Sequence, residues 1–92
     1  MELLHKKFII DIILALKNEP QAFNEIQNQL KIYSDTLSRR LKELEKLGII
    51  ETTIIQGDTG KRIRYKLTSK GNVILPFLVD AMKALKKAED LL

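Results

Sequence analysis

The sequence contains no cysteine and a single histidine among its 92 residues. Without thiols there can be no disulfide bonds, thiolate nucleophiles or cysteine-based zinc sites. One imidazole, that of His5, cannot form a multi-histidine metal site. The sequence also shows no His/Asp/Ser cluster, no paired carboxylates and no phosphate-binding glycine spacing. We therefore expect neither metal nor cofactor, and we do not expect an enzyme.

Long hydrophobic runs are also missing. No apolar stretch approaches the roughly 20 residues that cross a bilayer. The apolar stretch near the start is interrupted by Asp11 and lacks a small-residue cleavage site, so it does not resemble a signal peptide. We expect a cytoplasmic protein with no membrane partner. The length predicts one domain over residues 1–92, and a core this small gains stability from a partner subunit.

Basic side chains are concentrated in the middle of the chain. Residues 33–70 contain nine basic and five acidic residues, whereas the rest of the chain contains seven of each. The whole net charge of +4 therefore lies in this segment. Such clustering is typical of an electrostatic footprint for nucleic acid.

Apolar spacing predicts two helices before this basic segment. The first runs from Leu3 to Asn18 and ends because Pro20 follows. It is apolar on nearly all sides, which predicts contact with a second subunit as well as with its own core. Asn24 is expected to cap a short second helix that ends near Lys31.

A third helix is predicted from Ser34, as its cap, to Leu47, with Gly48 as the stop. Its apolar stripe consists of Leu37, Leu41 and Leu44. Two short helices joined by a tight turn, the second rich in serine, threonine and arginine, predict a helix-turn-helix unit.

A β-hairpin and a last helix follow. Residues 49–55 are mostly β-branched, 56–60 contain two glycines, and 62–67 alternate between basic and apolar side chains. One face of this hairpin is expected on the core and the other to present cations, as in the wing of a winged helix. Thr68 is expected to cap the last helix, and Pro76 to bend it or split it near Val73. The fold class is α+β, a mainly helical winged helix-turn-helix with a β-hairpin wing and a C-terminal dimerisation helix.

The third helix and the hairpin contain the candidate DNA-binding residues. On a helical wheel the leucine stripe directs Arg39, Lys42 and Lys46 outward. An arginine there can donate two hydrogen bonds to guanine O6 and N7, and the lysines are suited to phosphates. The candidates are Ser34, Asp35, Thr36, Ser38, Arg39, Arg40, Lys42, Lys46, Lys61, Arg62 and Arg64.

Asp35 has two interpretations. Its carboxylate could accept a hydrogen bond from cytosine N4, or it could stabilise the positive end of the helix dipole. The second is the simpler interpretation.

The dimer interface is predicted on the first and last helices. Both have more apolar surface than one small core can bury. The candidates are Leu3, Ile10, Leu14, Phe77, Leu78, Met82 and Leu85.

Four segments together resemble the HxlR-type winged-helix regulators of the MarR-like superfamily. They are Phe23–Ile26, Thr36–Ile50, Arg64–Gly71 and Ile74–Pro76, and the resemblance extends over roughly residues 13–85. It implies a homodimeric transcriptional regulator that binds double-stranded DNA. Residues 34–47 would enter the major groove and the wing, about 50–67, would lie at the adjacent minor groove. Members usually have a cysteine-proline pair before the first helix, and since this chain has no cysteine, thiol-based sensing is not implied.

Two other functions are compatible with a winged helix. A protein-interaction module would need a neutral or apolar third helix, which the cations here disfavour. An RNA-binding module is harder to separate because phosphate contacts look alike. A small-molecule effector is compatible with the family, but nothing in the sequence indicates one.

Overall fold

The computed structural model describes residues 8–57 and 60–92. Leu3 lies outside the described residues, as does the side chain of Lys61. The elements are α1 (Ile9–Ala15), α2 (Phe23–Leu30), α3 (Ser34–Lys46), β1 (Ile50–Gly57), β2 (Gly60–Leu67) and α4 (Ser69–Leu91). This order confirms the mainly helical α+β fold with a hairpin between the third and last helices.

One hydrophobic core joins all of these elements. Its innermost side chains come from α1, α2, α3 and the start of β1, and Leu67, Leu75 and Leu78 complete it from β2 and α4. The predicted stripe of α3 is buried as expected. Among the described residues, the largest fully buried side chains are those of Ile9, Ile12, Ile13, Ile26, Leu37, Leu41, Leu44, Ile49 and Ile50.

The first helix is shorter than predicted within the described residues. Phe8 precedes it with a left-handed backbone, φ 72°, and α1 then ends at Ala15. A phenylalanine in that conformation interrupts a right-handed helix, so a single helix from Leu3 to Asn18 was wrong. The chain reaches Pro20 four residues after the C-cap Leu16.

Two predicted caps are each shifted. The N-cap of α2 is Ala22, not Asn24, and the backbone N–H of Ala22 donates to Glu25 Oε1 at 2.9 Å. Glu25 therefore supplies the carboxylate half of a capping box. Ser34 is the first residue of α3, and the N-cap is Tyr33, which makes no side-chain cap bond. The prediction that Ser34 caps α3 was therefore wrong.

The end of α3 is as predicted. Gly48 has φ 73°, which suits a glycine at the stop of a helix. Lys70 Nζ, from α4, donates to the carbonyl of Leu47 at 2.7 Å and so places a cation at the negative end of the α3 dipole.

The hairpin is antiparallel and longer than predicted. Its register pairs Ile50 with Leu67 at the base and Gly57 with Gly60 at the tip. A short bridge continues the sheet on the other edge of β2, where Gln21 and Tyr65 exchange backbone hydrogen bonds of 2.9 and 2.7 Å. The wing is thereby joined to the segment that leads into α2.

Pro76 was predicted either to bend the last helix or to split it near Val73. The helix is continuous through Pro76, so the split does not occur. Thr68 caps it as expected, since its Oγ1 accepts from the backbone N–H of Gly71 at 3.1 Å. Gly71 is buried against the carbonyl of Ile49, where a Cβ would clash. Within residues 8–57 and 60–92, no helix is both long and apolar enough to cross a bilayer.

Candidate nucleic-acid interface

The outward face of α3 is cationic. Arg39, Lys42 and Lys46 are exposed, and Asp35 is exposed near the N-terminal end of the same helix. Leu37, Leu41 and Leu44 are buried behind them, so the core fixes which face points outward. The structure thus brings these four predicted residues onto one surface.

Short hydroxyl side chains border this face. Ser34 is exposed, and Thr36 and Ser38 are half-buried at its edges. Their small size lets the helix approach a groove closely. With 13 residues, α3 is about 20 Å long, enough to lie in a major groove.

Arg40 differs from the other basic residues of α3. Its Nη1 donates to both carboxylate oxygens of Glu43, each at 3.0 Å, and its side chain is only 14% exposed. Arg40 therefore lies at the edge of the core, with its charge balanced by Glu43. Its DNA contact stays a prediction.

The wing cations lie in different surroundings. Arg62 is exposed on the outer part of β2. Arg64 Nη1 donates to Glu25 Oε1 of α2 at 2.8 Å, and its side chain is 25% exposed. Lys66 Nζ lies 3.5 Å from Oε1 of Glu51 in β1. The prediction that the outer face of the hairpin presents its cations to solvent is therefore wrong for Arg64, which faces α2.

Sequence reasoning missed Glu25 and Gln21. Both lie near the start of α2 and both contact the wing, through a carboxylate and a backbone bridge respectively. The available signal was the position of Glu25 three residues after Ala22. An alanine at the N-cap position does not indicate a capping box, because its side chain has no hydrogen-bonding group.

Tyr65 of β2 packs on the core as expected from the alternation of residues 62–67. Burial, and to a lesser extent the negative charge of Glu45, raises the pKa of its phenol.

The wing and α2 enclose an open cleft of about 490 Å³. Its lining combines the apolar side chains of Phe23 and Ile63 with Arg62 and the Arg64–Glu25 pair. Ile63 is exposed and faces Ile54 across the two strands, so the outer half of the wing lies beyond the core.

The predicted dimer residues separate into three groups. Phe77, Met82 and Leu85 are exposed on α4, with Phe77 at 71%. Ile10 and Leu14 of α1 are half-buried against the core. Leu78 is 5% exposed and belongs to the protomer's own core, so its assignment to the partner face is revised. Val73 is also exposed on α4.

The comparison with protein families gives a match over nearly the whole chain. The sequence profile described as HxlR-like helix-turn-helix matches residues 3–90. The chain is also similar to an uncharacterized HTH-type transcriptional regulator, YvaP, from Bacillus subtilis strain 168. The two are 38% identical over 84 residues, which cover 90% of this chain and 77% of YvaP.

Solved structures show the same fold. The reduced form of the transcriptional regulator YodB from B. subtilis is 32% identical, with a TM-score of 0.80 over 90% of this chain and 80% of YodB. A possible HxlR family transcriptional factor from Thermoplasma volcanium GSS1 is 30% identical, with a TM-score of 0.77 over 97% of this chain and 80% of that one.

Proposed function

This chain belongs to the HxlR-like helix-turn-helix family, and we propose from that premise that it regulates transcription as a cytoplasmic homodimer bound to double-stranded DNA. The observation that carries the proposal is the exposed cationic face of α3, fixed outward by its buried leucine stripe. It acts by binding and not by catalysis.

In the proposed complex α3 lies in the major groove. Arg39, at the centre of the exposed face, donates to a guanine edge, and Ser38 and Thr36 make shorter contacts beside it. Lys42 and Lys46 neutralise phosphates. Asp35 stabilises the positive end of the α3 dipole, because a carboxylate at that position is repelled by phosphate.

The wing reaches the neighbouring minor groove in this arrangement. Arg62 is an exposed cation on its outer part. It contributes charge and not base readout, since the minor groove presents a degenerate pattern of donors and acceptors.

The second half of α4 supports the homodimer. Every residue from Asp80 to Leu92 is exposed in the single chain. A helical segment of this length is marginal in water on its own. Packing against a second copy through Phe77, Met82 and Leu85 would bury its apolar side chains around a two-fold axis.

The proposal is tested by binding of fluorescently labelled duplexes. We expect a DNA duplex to bind more tightly than an RNA duplex of the same sequence, because the A-form major groove is too narrow for α3. Replacing Arg39 and Lys42 together with alanine should weaken DNA binding strongly. The matched control replaces Lys86 and Lys87, two exposed cations of α4, and should have a much smaller effect.

Equal losses from the two double variants would mean that only net charge matters, and would contradict binding through α3. Equal affinity for DNA and RNA would favour the RNA-binding alternative.

A further inference from the structure

We propose that Glu25 is a positioning residue that ties the wing to the helix-turn-helix, and that Arg64 is the other half of this tie and not a phosphate contact. The inference rests on the proposed function and adds to it a determinant of wing position that lies outside the DNA-contacting faces.

A single carboxylate oxygen makes both contacts. Glu25 Oε1 accepts from the backbone N–H of Ala22 at 2.9 Å and from Arg64 Nη1 at 2.8 Å. The first bond fixes the start of α2, and the second holds β2 against it. The wing is therefore connected through this oxygen to the helix that precedes α3 and shares its core.

The position of Arg64 along β2 lets this contact set the direction of the outer part of the wing. Leu67 anchors the base of the strand in the core, and Tyr65 is held by its backbone bridge to Gln21. Arg64 is the next residue outward. Beyond it β2 continues for four residues, to Gly60, or about 13 Å at the usual strand rise. A small change in angle at Arg64 is therefore amplified at the tip.

Arg62 depends on this anchor. It lies two residues beyond Arg64, so the two side chains project from the same face of the strand. Without the Arg64–Glu25 contact, Arg62 would lose conformational entropy when it binds DNA. In the native protein that entropy is already lost on folding.

A switch of Arg64 from Glu25 to a phosphate is the competing model. It would leave the carboxylate of Glu25, already 45% exposed, unpaired beside a polyanion. The intact pair avoids that repulsion. We therefore expect Arg64 to stay with Glu25 in the complex.

Glu25→Gln separates the two models. The glutamine Oε1 can still accept from Ala22, so the helix cap is retained, while the charge that holds Arg64 is lost. The variant loses one negative charge per chain, and the higher net charge should by simple electrostatics tighten DNA binding. The tie predicts the opposite, a loss of about three- to tenfold for a dimer with two wings.

Glu51→Gln is the matched control. It makes the same change of charge on the wing, but Glu51 pairs with Lys66 and not with α2. We expect its DNA affinity to equal or exceed that of the native protein. Thermal unfolding of each variant verifies that the fold is retained.

The experiment measures binding of a random-sequence duplex over a range of salt concentrations. Arg64→Ala should lower affinity without changing the slope of log K against log salt, and Glu25→Gln should add no further loss to it. Arg62→Ala should reduce the slope by about 0.9 for each lost phosphate contact.

Tighter binding by Glu25→Gln, or a reduced salt slope for Arg64→Ala, would overturn the tie while leaving DNA binding in place. Failure of the native protein to bind any duplex would overturn the proposed function, and the tie with it.

Discussion

Sequence preference in the proposed complex depends most on Arg39. Its side chain is exposed at the centre of the outward face of α3, whereas neighbouring Arg40 is turned aside and paired with Glu43. Two adjacent arginines therefore have different surroundings because the leucine stripe fixes the helix rotation.

Arg39→Ala should cost about 1–3 kcal/mol on a specific site and relax the preference at one base position per half-site. The measurement compares specific and random duplexes at one salt concentration. Lys46→Ala, at an exposed position of the same face, serves as the control and should weaken both equally. Equal losses for Arg39→Ala on the two duplexes would refute base readout by this residue.

Gly71 affects stability instead of recognition. A Cβ at this position would clash with the backbone carbonyl of Ile49, and backbone cannot move aside cheaply. We expect Gly71→Ala to lower the free energy of unfolding by about 1–3 kcal/mol, measured by urea denaturation. Asn72→Ala, at the exposed neighbouring position, should change it far less. Similar stabilities would show that α4 can shift to accept the methyl group.

At the scale of elements, periodic patterns predicted more than individual caps did. The leucines of α3 indicated that helix and its buried face, because burial imposes a period. The alternating residues of β2 indicated a strand, but its inward face reaches the core at Tyr65 and Leu67 and not at Ile63. The caps of α2 and α3 were assigned to Asn24 and Ser34, yet Ala22 and Tyr33 occupy those positions. A cap depends on local backbone geometry as well as on a polar side chain, so Thr68 was assigned correctly whereas Asn24 and Ser34 were not.

The Glu25–Arg64 contact could not be predicted for a different reason. The two residues are 39 positions apart, and their proximity follows from how the wing folds back on α2. The alternation of basic and apolar residues predicts that Arg64 lies on the face of β2 opposite the core. It does not predict that the carboxylate of Glu25 accepts a hydrogen bond from Arg64 there.

The wing provides a prediction at this scale. Arg62→Ala should weaken binding to all duplexes by a similar factor, because Arg62 neutralises phosphate or lines the minor groove without reading bases. Anisotropy titrations on several unrelated sequences test this. A loss confined to one sequence would indicate base readout by the wing.

At the scale of the whole molecule, dimerisation is expected to complete the structure. Met82 and Leu85, which are exposed in the single chain, continue along α4 the helical stripe of its core-facing residues Leu75 and Leu78. A helix that extends beyond the core in this way is suited to packing against the same helix of a second subunit.

Phe77→Glu should therefore convert the dimer to a monomer at micromolar concentration, as measured by light scattering, because it would bury an unpaired charge at the interface. Asn72→Glu adds the same charge at an exposed polar position of α4 and should remain dimeric. A native protein of monomer mass would contradict the dimer directly.

Selection of binding sites from a random DNA library tests the central claim most directly. A homodimer that places one α3 in each of two major grooves must enrich an inverted repeat, with half-sites about one helical turn or a multiple apart. We predict such a repeat, with a guanine whose preference is lost in Arg39→Ala. Enrichment of no sequence, or of a single element without two-fold symmetry, would contradict the account.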